Sequence, residues 1–259
     1  MRSFIASRHG SFVADRLARL SEQYLNAYDN VANWDIGING ELRAIRDVLT
    51  RIEGDVLDVG ANAGQWATAV IPYLGDRSLH SFEVVPPIYV ALARNVAGHA
   101  NVFPVNKGLS DAAGTIEVHY SPSSSTISSA YPLIEDRQDQ VVVTCAVMRG
   151  DDYIQDTGIG DVALLKIDVE GMEIAVLDGF EAAFRRGAIK TVQFEHGPSH
   201  LLSGHTMQTF VQWFDRFGYD VYTVYPNRLI PFSFDIMKEK FTGQNFYAIR
   251  RDMRAAFAS

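Results

Sequence analysis

One short segment carries a dense chemical signal, Asp58-Val59-Gly60-Ala61-Asn62-Ala63-Gly64. It continues the apolar Val56-Leu57 and reads as the mouth of a buried strand turning into a helix. Gly60 permits a sharp turn, and Gly64 opens the helix where a Cβ would obstruct a ligand. A dinucleotide-binding turn would carry glycine in the place of Asn62, so that a pyrophosphate could approach the backbone. This turn suits instead a ligand without phosphates that ends in an amino acid, with Asp58 facing the ammonium and loop N–H groups the carboxylate. One strand further on, Glu83 is placed to accept hydrogen bonds from both hydroxyls of a ribose. S-adenosylmethionine meets both demands.

Two later strand ends supply groups that can manage a proton. Asp168 follows the apolar run Val162 to Ile167, which only Lys166 interrupts, and Glu170 and Glu173 come next on the turn and helix start. Acidic residues there also stabilise a helix dipole, and Glu173 is assigned to that role or to structural hydrogen bonding. The next strand ends in Glu195-His196-Gly197-Pro198. His196 is the expected general base, Asp168 the group that positions an acceptor hydroxyl, and Glu195 a residue that orients the histidine or the substrate. His196 and His200 have i, i+4 spacing, but Gly197-Pro198 breaks any helix between them. Asp168 and Glu195 could hold Mg²⁺, yet metal-free catalysis is the expectation.

Strands alternating with amphipathic segments must position these groups. After the strand at Val56–Val59 come a helix from Gly64 that Pro72 ends or kinks, a strand at Ser78–Glu83, a helix opening at Pro86-Pro87 and a strand at Asn101–Val105. Thr115–Tyr120 and Val141–Val147 read as extra strands around the polar loop Ser121–Ser129, which is expected near the acceptor. The strands Val162–Ile167 and Ile189–Phe194, a helix at Thr206–Phe217 and closing strands at Tyr219–Tyr225 and Phe246–Ile249 complete the pattern. Such alternation predicts an α/β fold with a doubly wound, mostly parallel sheet, whose ligands sit beyond the carboxyl ends of the strands. Ahead of it, Val13, Leu17, Leu20 and Tyr24 predict a helix of the domain, and Leu42, Ile45, Leu49 and Ile52 a second. Tyr24, Tyr28 and Trp34 are expected to be core, or else a lid.

Composition narrows the partners. The 259 residues carry a net charge of −8 and a pI near 5.3, which argues against a broad nucleic-acid face. Cys145 is the single cysteine, sits in an apolar run and reads as a small buried hydrophobe. No stretch is apolar enough to span a membrane, and a cytoplasmic location is expected. Homo-oligomerisation stays open.

The segment Leu165-Lys166-Ile167-Asp168-Val169-Glu170-Gly171-Met172-Glu173, with Val176-Leu177-Asp178-Gly179, closely resembles the signature of the FkbM family of methyltransferases. The Asp58–Gly64 turn matches that family's first motif, and Asn39-Gly40-Glu41 and Asn245-Phe246-Tyr247-Ala248-Ile249 also look like its pattern. The resemblance covers residues 39 to 250. It implies a class I methyltransferase (Rossmann-like) sheet with an antiparallel terminal hairpin in residues 51–259; the helical spacing ahead of it makes residues 1–50 an N-terminal helical extension packed on that domain. It implies S-adenosylmethionine as cofactor, with Glu41 beside Asp58, Gly60, Asn62, Gly64, Glu83 and Asp168 in its site. The implied reaction is O-methylation of a small-molecule or glycan acceptor: a sugar, glycan or secondary-metabolite hydroxyl. Two rivals remain, an NAD-dependent oxidoreductase and a non-catalytic binding protein on the same fold; the first lacks the middle glycine and leaves Asp168–Gly171 unexplained.

Overall fold

The computed structural model describes residues 2–122, 124–132 and 139–257, with backbone alone for residues 124–127. Helices α1 (Arg2–Ala6), α2 (Phe12–Tyr28) and α3 (Glu41–Leu49) precede β1 (Asp55–Val59). Then come α4 (Gln65–Val70), β2 (Leu79–Phe82), α5 (Pro86–Asn95) and β3 (Val102–Val105). Strands β4 (Gly108–Ser110), β5 (Gly114–Ser121), β6 (Ser124–Ser129) and β7 (Val141–Arg149) form the middle of the chain. They lead into α6 (Gly150–Thr157), β8 (Val162–Ile167), α7 (Glu173–Gly179), α8 (Glu181–Arg185) and β9 (Ile189–His196). The remainder is α9 (His200–Ser203), α10 (Met207–Asp215), β10 (Tyr219–Tyr225), β11 (Arg228–Pro231) and β12 (Gln244–Arg250).

Eight strands make the main sheet in the order β11-β10-β12-β9-β8-β1-β2-β3. The run from β9 to β3 is parallel, and β12 lies antiparallel between β9 and β10. The chain builds outward from β1 through β2 to β3, then crosses to β8 and β9 on the other side. That reversal between β1 and β8 is the switch point at which doubly wound sheets open a crevice. Successive residues of β8 feed two separate cores. Leu165 and Ile167 pack with α6, α7, α8 and α10, while Ala163 and Leu164 pack with α3, α4 and α5. Burial on both faces explains why this strand reads as an apolar run broken only by Lys166.

A second sheet, β4-β7-β5-β6, includes the two expected extra strands. The serine-rich segment expected as a loop is largely strand, with β6 paired to β5. Cys145 is buried in that sheet's core, as expected, and burial raises its thiol pKa. The N-terminal expectation holds for α3 and fails for what precedes it. α3 buries Ala44, Ile45, Val48 and Leu49, whereas no residue of α1 or α2 is buried. Tyr24, Tyr28 and Trp34 are all exposed rather than core: among the described residues no other element lies over the α2 stripe, and Trp34 lies beyond α2 at the edge of the cavities described below. No helix of the described residues is long and apolar enough to cross a membrane.

Candidate active site

A crevice of about 720 Å³ runs across the carboxyl ends of β1, β2 and β8, and a pocket of about 300 Å³ opens beside it toward α3. Trp34, Gly60, Asn62, Asp168 and Glu195 line both. Glu83 lines the crevice and Glu41 the pocket, so six of the sequence-derived positions converge here. Asp58, Gly64 and His196 do not line either.

The β1–α4 turn is dictated by close approach. Gly60 has φ +82°, and a Cβ there would stand 1.8 Å from the Asp168 carbonyl oxygen. The Asp168 N–H donates to the Val59 carbonyl at 2.9 Å, so the two strand ends are held edge to edge. Gly64 serves another purpose than the expected one. A Cβ there would meet Leu92 at 2.9 Å, so this glycine lets α4 pack on α5. Asn62 also adopts positive φ, and its N–H donates to the Glu83 carboxylate at 2.9 Å. Glu83 accepts a second bond from the Val85 N–H at 2.8 Å. Burial nevertheless pushes its carboxyl up to about 7.

Asp58 does not face the pocket as expected. It is fully buried behind Lys166, whose Nζ lies 3.2 Å from the Asp58 carboxylate, 3.5 Å from that of Asp168 and 3.2 Å from the Gly60 carbonyl. Lys166 lines the pocket in its stead. Burial opposes the ammonium charge, but Asp58 and Asp168 more than offset it, and Lys166 titrates above its ordinary value. This residue is the pocket-lining charge that sequence reasoning passed over, although the signal was present. A lysine inside a strand buried on both faces needs partners, and the acidic strand tips beside it are the available ones. Glu41, at the start of α3, is fixed just as firmly. It accepts bonds from Asn39, from Asn245 at 3.0 Å and from Gln193 at 2.6 Å, while burial raises its pKa.

The far end of the crevice is acidic. Glu170 sits in the left-handed region at φ +54°, a conformation that costs a non-glycine residue about 1–3 kcal/mol. Its neighbours hold it there. The Glu173 carboxylate accepts from the Val169 and Gly171 N–H groups, each at 3.0 Å, and pairs with His200 at 2.8 Å. Ser129 donates to the Glu170 carbonyl at 2.9 Å. Glu173 is thus structural, as expected. Burial opposes its charge, but His200 and the backbone donors draw its pKa below the ordinary value. Burial, followed by Asp168 and Glu173, lifts Glu170 to about 7, and burial with Asp168 and Glu170 lifts Glu195 well above the carboxylate range.

His196 is not positioned as a base. Its side chain is 1% exposed and turned into the protein. Its ring nitrogens face the carbonyls of Lys240 and His205 at 3.2 and 3.3 Å, and the ring packs against His200 and Phe241. Burial, with the charge of His200 beside it, pushes its pKa down to about 4. In a strand, successive side chains point to opposite faces, so the crevice receives Glu195 and the core receives His196. Among the described residues, no group of three or more His, Cys, Asp or Glu side chains is arranged to hold a metal ion.

The model of the FkbM methyltransferase domain matches residues 58–221, from the buried aspartate of β1 to β10. The chain belongs to this family. It is 28% identical over 158 residues to 31-O-demethyl-FK506 methyltransferase FkbM of Streptomyces tacrolimicus, covering 50% of this chain and 61% of that relative. It is 24% identical over 204 residues to the hexuronic acid methyltransferase AglP of Haloferax volcanii, covering 76% and 81%. Among solved structures, Aeropyrum pernix fibrillarin in complex with S-adenosyl-L-methionine aligns with TM-score 0.44 and 13% identity over 81% of this chain and 76% of that one. The residues matched to the FkbM methyltransferase domain run from β1 to β10 of the main sheet, whose switch point opens the crevice.

Proposed function

We propose that this FkbM-family methyltransferase transfers the methyl group of S-adenosylmethionine to a hydroxyl of an uncharged sugar, glycan or secondary metabolite. The observation that carries the reading is the Lys166–Asp168 pair at the junction of crevice and pocket. A cation and carboxylates in one pocket wall, Lys166 with Glu41 and Asp168, match an amino-acid tail. Lys166 would hold the cofactor's carboxylate, Glu41 its ammonium and Glu83 its ribose hydroxyls.

When bound, S-adenosylmethionine supplies an electrophilic methyl on a positively charged sulfur. The protein's part is to align an oxygen and receive a proton. Asp168 positions the acceptor hydroxyl at the junction. Glu170, held by Glu173 and raised to about 7, would receive the proton that the acceptor hydroxyl gives up on methylation. Glu195, its carboxyl raised by burial and by the charges of Asp168 and Glu170, shares the crevice wall with Glu170.

The lining favours a neutral acceptor. Among the described residues the crevice has no lysine, arginine or histidine in its wall, while Glu83, Asp168, Glu170 and Glu195 are all there. An anionic acceptor would meet carboxylates and no cation in that wall, since Lys166 lines the neighbouring pocket and is already paired with Asp58 and Asp168. The test is transfer of labelled methyl to matched acceptors, a neutral glycoside against its uronic acid, with the product bond assigned by mass spectrometry. Transfer to oxygen of the neutral series supports the reading. Transfer confined to nitrogen, or preferring the uronate, overturns it.

A further inference from the structure

Helix α2 turns an apolar face to solvent. Val13, Leu17, Leu20 and Tyr24, four, three and four residues apart, form one stripe and are 66, 60, 53 and 67% exposed. Phe4 and Ile5 of α1 add 62 and 60% exposure ahead of it. A helix of 17 residues without tertiary packing is marginal in water, and a continuous apolar stripe marks a docking surface.

Charge selects what docks. Residues 2–28 hold Arg2, Arg8, Arg16 and Arg19 against Asp15 and Glu22, in a chain whose overall charge is −8. On the helical projection Arg16 borders one edge of the stripe, with Arg19 further round on the polar side, and Tyr28 borders the other edge. That face is broader than the a/d seam of a two-stranded coil. The flanking positions, Arg16 and Gln23 on one side and Ala14 and Ser21 on the other, offer no opposite charges to pair across a two-fold axis. Arginine beside an aromatic and leucine face is the pattern of a helix lying in a lipid interface.

We propose that α2 docks the protein on an anionic bilayer surface, with its arginines on the headgroups and its stripe in the acyl boundary. The residues that follow tie the helix end to the body next to the crevice. Asp29 pairs with Lys240 at 2.6 Å, and the Asn30 side chain donates to the Asn39 and Val224 carbonyls at 2.7 and 3.1 Å. Trp34, on the rim of both cavities, comes five residues after Asp29. Docking through α2 therefore keeps the crevice mouth near the lipid and suits an acceptor presented at a membrane.

The test is flotation of the full chain with phosphatidylcholine vesicles, with and without phosphatidylglycerol. The expected result is capture by the anionic vesicles alone, weakened by salt. Leu17→Glu with Leu20→Glu should abolish it, and Arg16→Gln with Arg19→Gln should weaken it roughly thirty-fold. Both variants keep the wild-type thermal shift with S-adenosylmethionine, since α2 contributes nothing to the buried core. Equal binding to neutral vesicles overturns the proposal. So does an absence of vesicle binding, including the case of a dimer in equilibrium sedimentation that Leu17→Glu dissolves, which would give the stripe to a second copy.

Discussion

Near α3, the charged groups around the crevice have fixed partners: Lys166 lies between Asp58 and Asp168, and Glu41 accepts from three amide side chains. Near α9, burial and neighbouring carboxylates, Asp168 and Glu173 for Glu170 and Asp168 and Glu170 for Glu195, lift both groups out of the usual range. The first end is preorganised for a constant ligand. The second is poised to exchange a proton. A shared aspartate, Asp168, joins them, so a lesion at either end can be told apart by whether it changes cofactor binding or turnover.

The largest effect is expected where the fixed end is broken. Lys166→Met leaves two carboxylates without their cation, a loss of about 3–5 kcal/mol for a buried pair. The melting temperature should fall by roughly 10 °C, and cofactor binding should vanish. Adding Asp58→Asn removes the stranded charge, so the double variant should regain most of the melting temperature without regaining affinity. Affinity restored in the double variant would mean that Lys166 only props up the strand ends.

The other end is broken by Glu170→Gln, which should lower kcat by roughly 10²–10⁴ and leave the cofactor's dissociation constant unchanged. In the wild type, a base raised to about 7 gives a rate that climbs as pH rises through 7 and then levels. That limb should be absent from the variant. A limb that persists would assign the proton to another group.

His200→Gln sharpens the comparison by loosening the support of Glu170 without touching the crevice wall. Losing a hydrogen bond between charged groups should cost about 2 kcal/mol. His200 has a folded pKa above its ordinary value, with the Glu173 pairing outweighing burial. Its stabilisation is therefore complete below the unfolded pKa and lost as pH rises through the folded one. The gap in melting temperature between wild type and variant should be widest near pH 6 and narrow in alkaline buffer. The smallest effect belongs to His196→Gln, for which kcat in the folded protein should change less than about threefold, against the 10²–10⁴ of a lost base.

The sheet was legible because periodicity and strand-end glycines are local signals. Gly60, Asn62 and Glu83 could be placed from one strand–turn–helix step. Asp58 was misjudged because its neighbour across the sheet, Lys166, lies over a hundred residues away and no spacing reveals that it screens the carboxylate. His196 was misjudged for a simpler reason. It stands at a strand mouth in sequence, but the alternation of the pleat sends Glu195 to the crevice and the imidazole to the core. The stripe of α2 was read correctly as helical and wrongly as packed, since periodicity reports an apolar face without saying what covers it.

The most direct measurement is calorimetric titration of S-adenosylmethionine into the wild type and into the folded Lys166→Met, Asp58→Asn double variant. Saturable binding by the wild type, absent from the double variant, is the result this structure leads to. No heat with the wild type, or equal affinity in both, would contradict it.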